Sequence, residues 1–416
     1  MSPTRRPTDL LRGAGSIAVA MAVMNVATYG FTMIAARLLG PQAYGAFASL
    51  MATLLVITVL QLGLQATAAR RIAAEPDHVA QIERTILGVT YRSAVALGLL
   101  LLVLTPLLNA VLRLDSLLTA ALVSVVSVPF TIMGGQAGIL QGERRWQALS
   151  VLYVLSGVPR LVIGTLLVAW HPTETAAIIG TGIGACFPVV AGWWFLRSPR
   201  DPGLHSEEQG YRKVLRESFH NSHVLLAFFA LSNADIVIAR NVLSEHDAGL
   251  YAGGLILTKA VLFLPQFVVV IAFPSMSTVA ERRRALTGSL GLVAVIGAAV
   301  TAGAALLPQL ALVFVGGGQF QEITDHLWVF AILGTVLSML QLLVYSVLAR
   351  QGQRSVYLVW AAFVALIGLG LAATSVRGLL TVVITVDSVL LVALLAVSLH
   401  VIPRVAEPEP DEQIVG

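Results

Sequence analysis

Apolar runs of about 20 residues recur from one end of this 416-residue chain to the other, each long enough to cross a hydrocarbon core about 30 Å thick. Backbone N–H and C=O groups that leave water in such a run must pair within the protein, so each run has to be a helix or a strand of a closed barrel. Barrel strands alternate apolar and polar residues over about 10 positions, and these runs do not alternate. The pattern predicts an all-α polytopic membrane protein. Composition agrees, with 12% charged residues where soluble domains carry about 25%, and a mean hydropathy of +0.85.

The runs place twelve spans near 15–36, 46–68, 85–112, 117–140, 148–170, 176–196, 219–239, 249–272, 288–315, 325–349, 356–374 and 379–402. The basic residues test that count. One face, here the arginine-rich face, holds the N-terminus, every loop from an even span to the next odd one, and the tail. It carries 19 of the 26 Lys and Arg, in groups such as Arg70-Arg71, Arg144-Arg145 and Arg282 to Arg284. The opposite, arginine-poor face carries four, Arg37, Arg113, Arg240 and Arg377. The other three, Arg92, Arg160 and Lys259, fall within spans. A single miscounted span would scramble this asymmetry, and by the positive-inside rule both termini are expected in the cytoplasm. The opening MSPTRRPTDLLRG leads into an apolar run too long for a cleaved signal peptide and reads as an uncleaved first span.

The chain writes one turn twice. IAARLLGPQAYGAFA runs from Ile34 to Ala48 and IARNVLSEHDAGLYA from Ile238 to Ala252, each with Ala-Arg before the turn and Gly-x-aromatic-Ala or its near equivalent after it. Other landmarks pair in the same order: Glu83-Arg84 with Glu281-Arg282, Pro106 with Pro308, and Gln141 to Arg144 with Gln351 to Arg354, all at offsets of 198 to 210. This predicts a duplication. Six spans per half is an even number, so the halves enter the membrane the same way and should be related by a pseudo-twofold along the membrane normal. The expected organisation is a cytoplasmic N-terminus (1–14), a first lobe (15–196), a linker (197–218), a second lobe (219–402) and an acidic cytoplasmic tail (403–416). The linker, RSPRDPGLHSEEQGYRKVLRES, is the longest loop, which leaves no room for a catalytic domain outside the membrane.

Three stretches carry a resemblance: ARLLGPQAYGAFA after a first span, LQGERRW after a fourth, and AGLYA leading to Pro265 and AFPSMS. They resemble the polysaccharide-export, or O-antigen flippase, family, within the superfamily that also holds multidrug-and-toxin extruders and lipid II flippases. The resemblance implies two six-helix lobes around a central cavity, alternating access, and a bacterial cytoplasmic membrane. The implied substrate is an undecaprenyl-diphosphate-linked oligosaccharide moved to the outer leaflet. The accompanying proteins would be the polymerase or glycosyltransferases of the same pathway, with membrane lipid as surroundings.

Charges deep in a span cost at least roughly 2.5 kcal/mol each and face a cavity or a partner. Arg160, directly after Pro159 in span five, and Lys259, in span eight, are the deepest cations. A diphosphate is anionic, so the two form a candidate cationic midplane, Arg160 as a bidentate donor and Lys259 as a point charge. The alternative is a structural ion pair with Asp235 or Asp387. Those two carboxylates, in spans seven and twelve, are candidates for coupling to a proton or sodium ion, or else reach the rim and pair with Arg240 or Arg377. Arg92 can snorkel to the nearer end of its span or greet incoming phosphates. Asn25, Gln61, Gln65, Gln136, Asn221, His223 and Asn233 are candidates for a polar sugar path or for hydrogen bonds between helices.

Several classes are excluded or disfavoured. The single cysteine, Cys186, lies in an apolar run, which rules out an intrachain disulfide framework and a Cys-rich metal site and reads as a buried small hydrophobe. The basic residues do not cluster on a soluble face, so no nucleic-acid partner is expected. VGGGQF from Val315 has no strand before it and no Lys-Ser/Thr after it, so it is no phosphate loop, and no cofactor is expected. A drug or organic-cation antiporter would carry an acid in its first span, where this chain has Asn25 and Thr28. A membrane glycosyltransferase or polymerase would need an acidic catalytic constellation or a large outer loop, and a mere scaffold would have no use for paired midplane cations. Topology is testable directly: reporter fusions at Gly316 and Ser206 are expected to report outside and inside the cell. The reverse pattern would overturn the orientation, and identical signals would overturn the span count.

Overall fold

The computed structural model describes residues 7–197, 210–262, 279–349 and 353–401, and all their regular structure is helical. The first helix, α1 (Pro7–Ala74), is far longer than one crossing and bends at Gly40, whose φ of 71° and ψ of 174° leave the helical region. The bend has a local cause: Pro41 lacks an N–H and pushes the residue before it off helical geometry, and glycine accepts positive φ without a Cβ clash. Spans one and two are the two arms of α1, and the first copy of the repeated turn is the bend.

Prolines also set the next break. α2 (Val79–Val103) stops just before Pro106 and continues as the short α3 (Thr105–Leu112). Then come α4 (Leu117–Gly142), α5 (Trp146–Trp170) and α6 (Glu174–Leu196). Ser116 and Thr173 cap α4 and α6, accepting from the amides of Leu118 and Ala176 at 3.2 Å each. The second half has α7 (Tyr211–Val242), α8 (Glu245–Leu262) and α9 (Val279–Leu306). Before Pro308 the chain breaks again, giving the short α10 (Pro308–Val315) as the counterpart of α3. α11 (Leu327–Ala349), α12 (Gln353–Gly370) and α13 (Val376–Val401) complete it.

Nine helices among the described residues are long and apolar enough to cross a membrane. The bent α1 takes up two expected spans, α8 carries Glu245, Asp247 and Lys259, and the apolar part of α12 is short. The part of span eight beyond Leu262 lies outside the described residues. α7 begins at Tyr211, inside the stretch expected as linker, because Val214 there is fully buried against the first half.

Large apolar side chains stay exposed along the helices, among them Val95, Leu99, Val103, Val190, Val295 and Val392. A soluble protein rarely exposes so much, and lipid is the solvent such a surface fits. Trp170, Trp193 and Trp194 sit exposed near helix ends, where amphipathic rings suit a membrane interface. Cys186 corrects its expectation. It is exposed on the same face of α6 as Phe187 and Val190, because in lipid a small apolar side chain gains nothing by turning inward.

Glycines set the tightest contacts. Gly134, Gly138 and Gly142 run down one side of α4 against the second arm of α1, and Gly180 of α6 faces Gly164 of α5. Without a hydrophobic drive between helices in lipid, close backbone approach supplies the packing. The repeated turns meet each other in the same way. A Cβ on Gly45 would sit 2.9 Å from the Cα of Gly249, and one on Gly249 would sit 2.9 Å from the Cα of Pro41. Gln42 also donates to the Glu245 carboxylate across this contact. A Cβ on Gly180 would stand 2.5 Å from the Gly164 Cα, so Gly180→Val is expected to destabilise the first half by about 1–3 kcal/mol. A thermal melt of detergent-purified protein checks this; an unchanged midpoint would show that α5 and α6 do not depend on that contact.

Candidate functional site

Two charged sites stand apart in the interior. In the second half, α7, α8 and α13 bring Asp235, Lys259 and Asp387 together. The Lys259 ammonium donates to the Ser232 carbonyl at 2.8 Å and to Asn233 Oδ1 at 3.1 Å, and Asn233 is held in turn by donating to the Phe229 carbonyl at 2.8 Å. Asp235 accepts from the Ile236 amide at 2.8 Å and from the Tyr251 hydroxyl at 3.1 Å. Asp387, 2% exposed, lies within electrostatic reach of both Asp235 and Lys259, and its Oδ1 accepts no hydrogen bond among the described residues. The cluster therefore holds two carboxylates against one ammonium, with Asp235 and Asp387 buried and Lys259 half-buried. A buried charge without a counter-charge is costly, so one further positive charge, a proton included, would be stabilised there.

Arg160 lies in the first half. It follows Pro159 on α5, and its Cα backs onto Gly184 of α6, where a Cβ would come within 2.7 Å. With α6 that close behind, the side chain turns toward α1 and its Nη2 donates to the Thr28 hydroxyl. No acidic side chain among the described residues neutralises it, and its Nε has no hydrogen-bond partner there. It is a guanidinium with donors to spare.

The profile of the family described as "Polysaccharide biosynthesis protein" matches residues 10–280, well over half of the chain. The chain belongs to that family. No curated protein matches the sequence. Among solved structures it resembles the inward-facing conformation of a multidrug resistance MATE family transporter of the MOP superfamily, with a TM-score of 0.72, 17% identity and coverage of 91% of this chain and 94% of the other. A eukaryotic MATE transporter follows at 0.68, 15%, 94% and 95%. A MOP superfamily transporter from Pyrococcus furiosus, described as having a binding pocket of reverse polarity, gives 0.63, 16%, 93% and 95%. At these identities the likeness establishes the fold: this family member has the two-lobed, all-helical architecture of the MOP superfamily, and the structures it resembles are transporters.

Among the expected site residues of this family member, the structure joins Asp235, Lys259 and Asp387 and leaves Arg160 in the other lobe. Arg92 belongs to neither site. It is exposed on α2, with its guanidinium 5.0 Å from the centre of the Tyr211 ring, at the arginine-rich end where Arg71 also pairs with Glu217 at 2.6 Å. Of the polar residues, Gln65 donates to Gln141 at 2.9 Å and to Tyr153 at 3.0 Å, and Gln136 to the Val189 carbonyl at 3.1 Å. These are bonds between helices. Gln61 packs on Gly134, and Asn25 and His223 are engaged as well. The side chain of Asn221 lies outside the described residues.

Two participants escaped the sequence. Tyr251 is the aromatic of the second repeated turn, legible there only as a repeat marker, and Thr28 is an ordinary hydroxyl in an apolar arm. Tyr251 is fully buried and donates to a carboxylate, so Tyr251→Phe is expected to lower stability by about 1–3 kcal/mol. Thermal unfolding in detergent reads this, and a variant as stable as the parent would show the bond to be dispensable.

Proposed function

We propose that this transporter flips a lipid-linked anionic glycan, an undecaprenyl-diphosphate-linked oligosaccharide, across the bacterial cytoplasmic membrane by alternating access, with both termini in the cytoplasm. The observation that carries this reading is Arg160, a cation deep in the first lobe that no acidic side chain among the described residues neutralises. A guanidinium with open donors is a receptor for a bidentate oxyanion such as phosphate. Lys259 in the second lobe supports it, since its ammonium donates to neutral acceptors and a cation taken up by the two carboxylates beside it would free its charge for an anion. The family match fits a substrate of polysaccharide biosynthesis, whose polymerase or glycosyltransferases would be the functional neighbours.

In this reading the carboxylates do a separate task. Asp235 and Asp387 share one ammonium, and the open Oδ1 of Asp387 is where a coupling proton or sodium ion would bind. That cluster also favours a second reading, an organic-cation antiporter like the multidrug resistance transporters it resembles in fold. The first arm of α1 argues for the first reading, since Arg160 points at Thr28 there.

Export of lipid-linked glycan by variants at matched membrane abundance separates the two. A charge-assisted contact is worth roughly 1.5–3 kcal/mol, so Arg160→Ala and Lys259→Ala should each lower export about one to two orders of magnitude, while Arg160→Lys and Lys259→Arg retain more. Normal export by the double alanine variant would sink the glycan reading. Efflux of a cationic dye that survives both alanines but not Asp387→Asn would establish the antiporter instead.

A further inference from the structure

The repeated turns do more than touch. Each carries an arginine, and each arginine reaches into the other half. Arg37 Nη2 donates to the Val313 carbonyl at 3.1 Å, and Arg240 Nε donates to the Leu112 carbonyl at 3.1 Å while its Nη2 bonds the Arg113 carbonyl. The acceptors are equivalent: Leu112 ends α3 and Val313 lies in the last turn of α10, the two short helices that follow Pro106 and Pro308. The last carbonyls of a helix have no partner within it, and a cation there also meets the negative end of the helix dipole. In both halves the chain leaves the helix through positive φ, at Arg113 (48°) and at Gly316 and Gly317 (147° and 85°), and its own amides reach Asn109, Ala110 and Leu312 but not the carbonyls the arginines take. The cap comes from the other half.

We propose that Arg37 and Arg240 form a two-part clasp holding the halves together at the arginine-poor face, each capping in trans a short helix of the opposite lobe, with Arg240 as the stronger part. The reciprocity is what a twofold-related pair of surfaces gives, residue i meeting j and j meeting i. The difference in strength follows from surroundings. Arg37 is exposed, whereas Arg240 is 5% exposed and lines a crevice between the halves with Asp115, Glu174 and Glu245, whose charges act on it. A charged hydrogen bond held away from water is worth more than one that water can replace. The clasp is also reversible by construction. Its acceptors are backbone carbonyls at the membrane boundary, which water can take over when the halves part, so a carrier that opens this face leaves no group stranded. The inference rests on the contacts between the halves and is independent of what is carried.

Distance measurement between spin labels tests it. Exposed Cys186 is first changed to Ser, and labels are placed at His171→Cys and Thr374→Cys, exposed positions in loops of the two halves on that face. Arg37→Ala/Arg240→Ala is expected to raise the long-distance, open-face population about tenfold or more over the parent. Arg240→Ala alone should give most of that rise and Arg37→Ala the smaller part. Arg377→Ala, which removes the same charge from the same face, should leave the distribution unchanged. An unaltered distribution in the double variant, or an equal rise in Arg377→Ala, would overturn the clasp, and a larger effect of Arg37→Ala would overturn its ranking. Should the double variant not purify as a monodisperse protein, Arg240→Gln decides: a partial rise supports the clasp and the parent distribution overturns it.

Discussion

The two halves meet backbone to backbone where Gly45 lies against Gly249 and Gly249 against Pro41. Everything between the halves at that face depends on this approach. A side chain at either glycine would hold the turns apart, and then Gln42 would lose Glu245 and the arginines would no longer reach the ends of α3 and α10. In lipid no hydrophobic drive pulls two apolar helices together, so contact comes from van der Waals packing and from hydrogen bonds that close approach permits. The glycine of the repeated turn is thus a contact residue first. Gly40, one turn earlier in the first copy only, does the bending.

The same logic runs through the lobes. Prolines interrupt α2–α3 and α9–α10 at matching places and leave short helices whose last carbonyls are met partly from the other half. Glycines on α4, α5 and α6 bring neighbours close enough that a charged side chain has few directions open to it. Arg160 shows the consequence: with its backbone against Gly184, the guanidinium is sent toward α1 and Thr28.

The fold was legible because its signals are coarse. Apolar length marks helices, proline marks breaks, and the paired turns announce two related halves, none of which needs a side-chain direction. The site was legible only as residue types at depth. Which carboxylate meets which cation depends on how each helix is rotated about its axis, and a run apolar on all sides carries no hydrophobic stripe to reveal that rotation. Hence Asp235, Lys259 and Asp387 were individually visible and their meeting was one of two alternatives, while nothing in the sequence told Lys259, which has both carboxylates beside it, from Arg160, which has neither. Cys186 departs from its expectation for a related reason: with lipid outside, facing outward costs a small apolar side chain little.

The charge arrangement of the two lobes is complementary. The first lobe holds an uncompensated cation at Arg160, and the second holds two carboxylates around the single ammonium of Lys259. A cation that settles at Asp387 would satisfy its open oxygen and offset one of the two carboxylates that act on Lys259. Lys259 would then be freer to face an anion alongside Arg160. In such a molecule uptake of a coupling cation in one lobe and binding of an anionic substrate between both would favour each other, because each supplies the charge the other leaves unmatched.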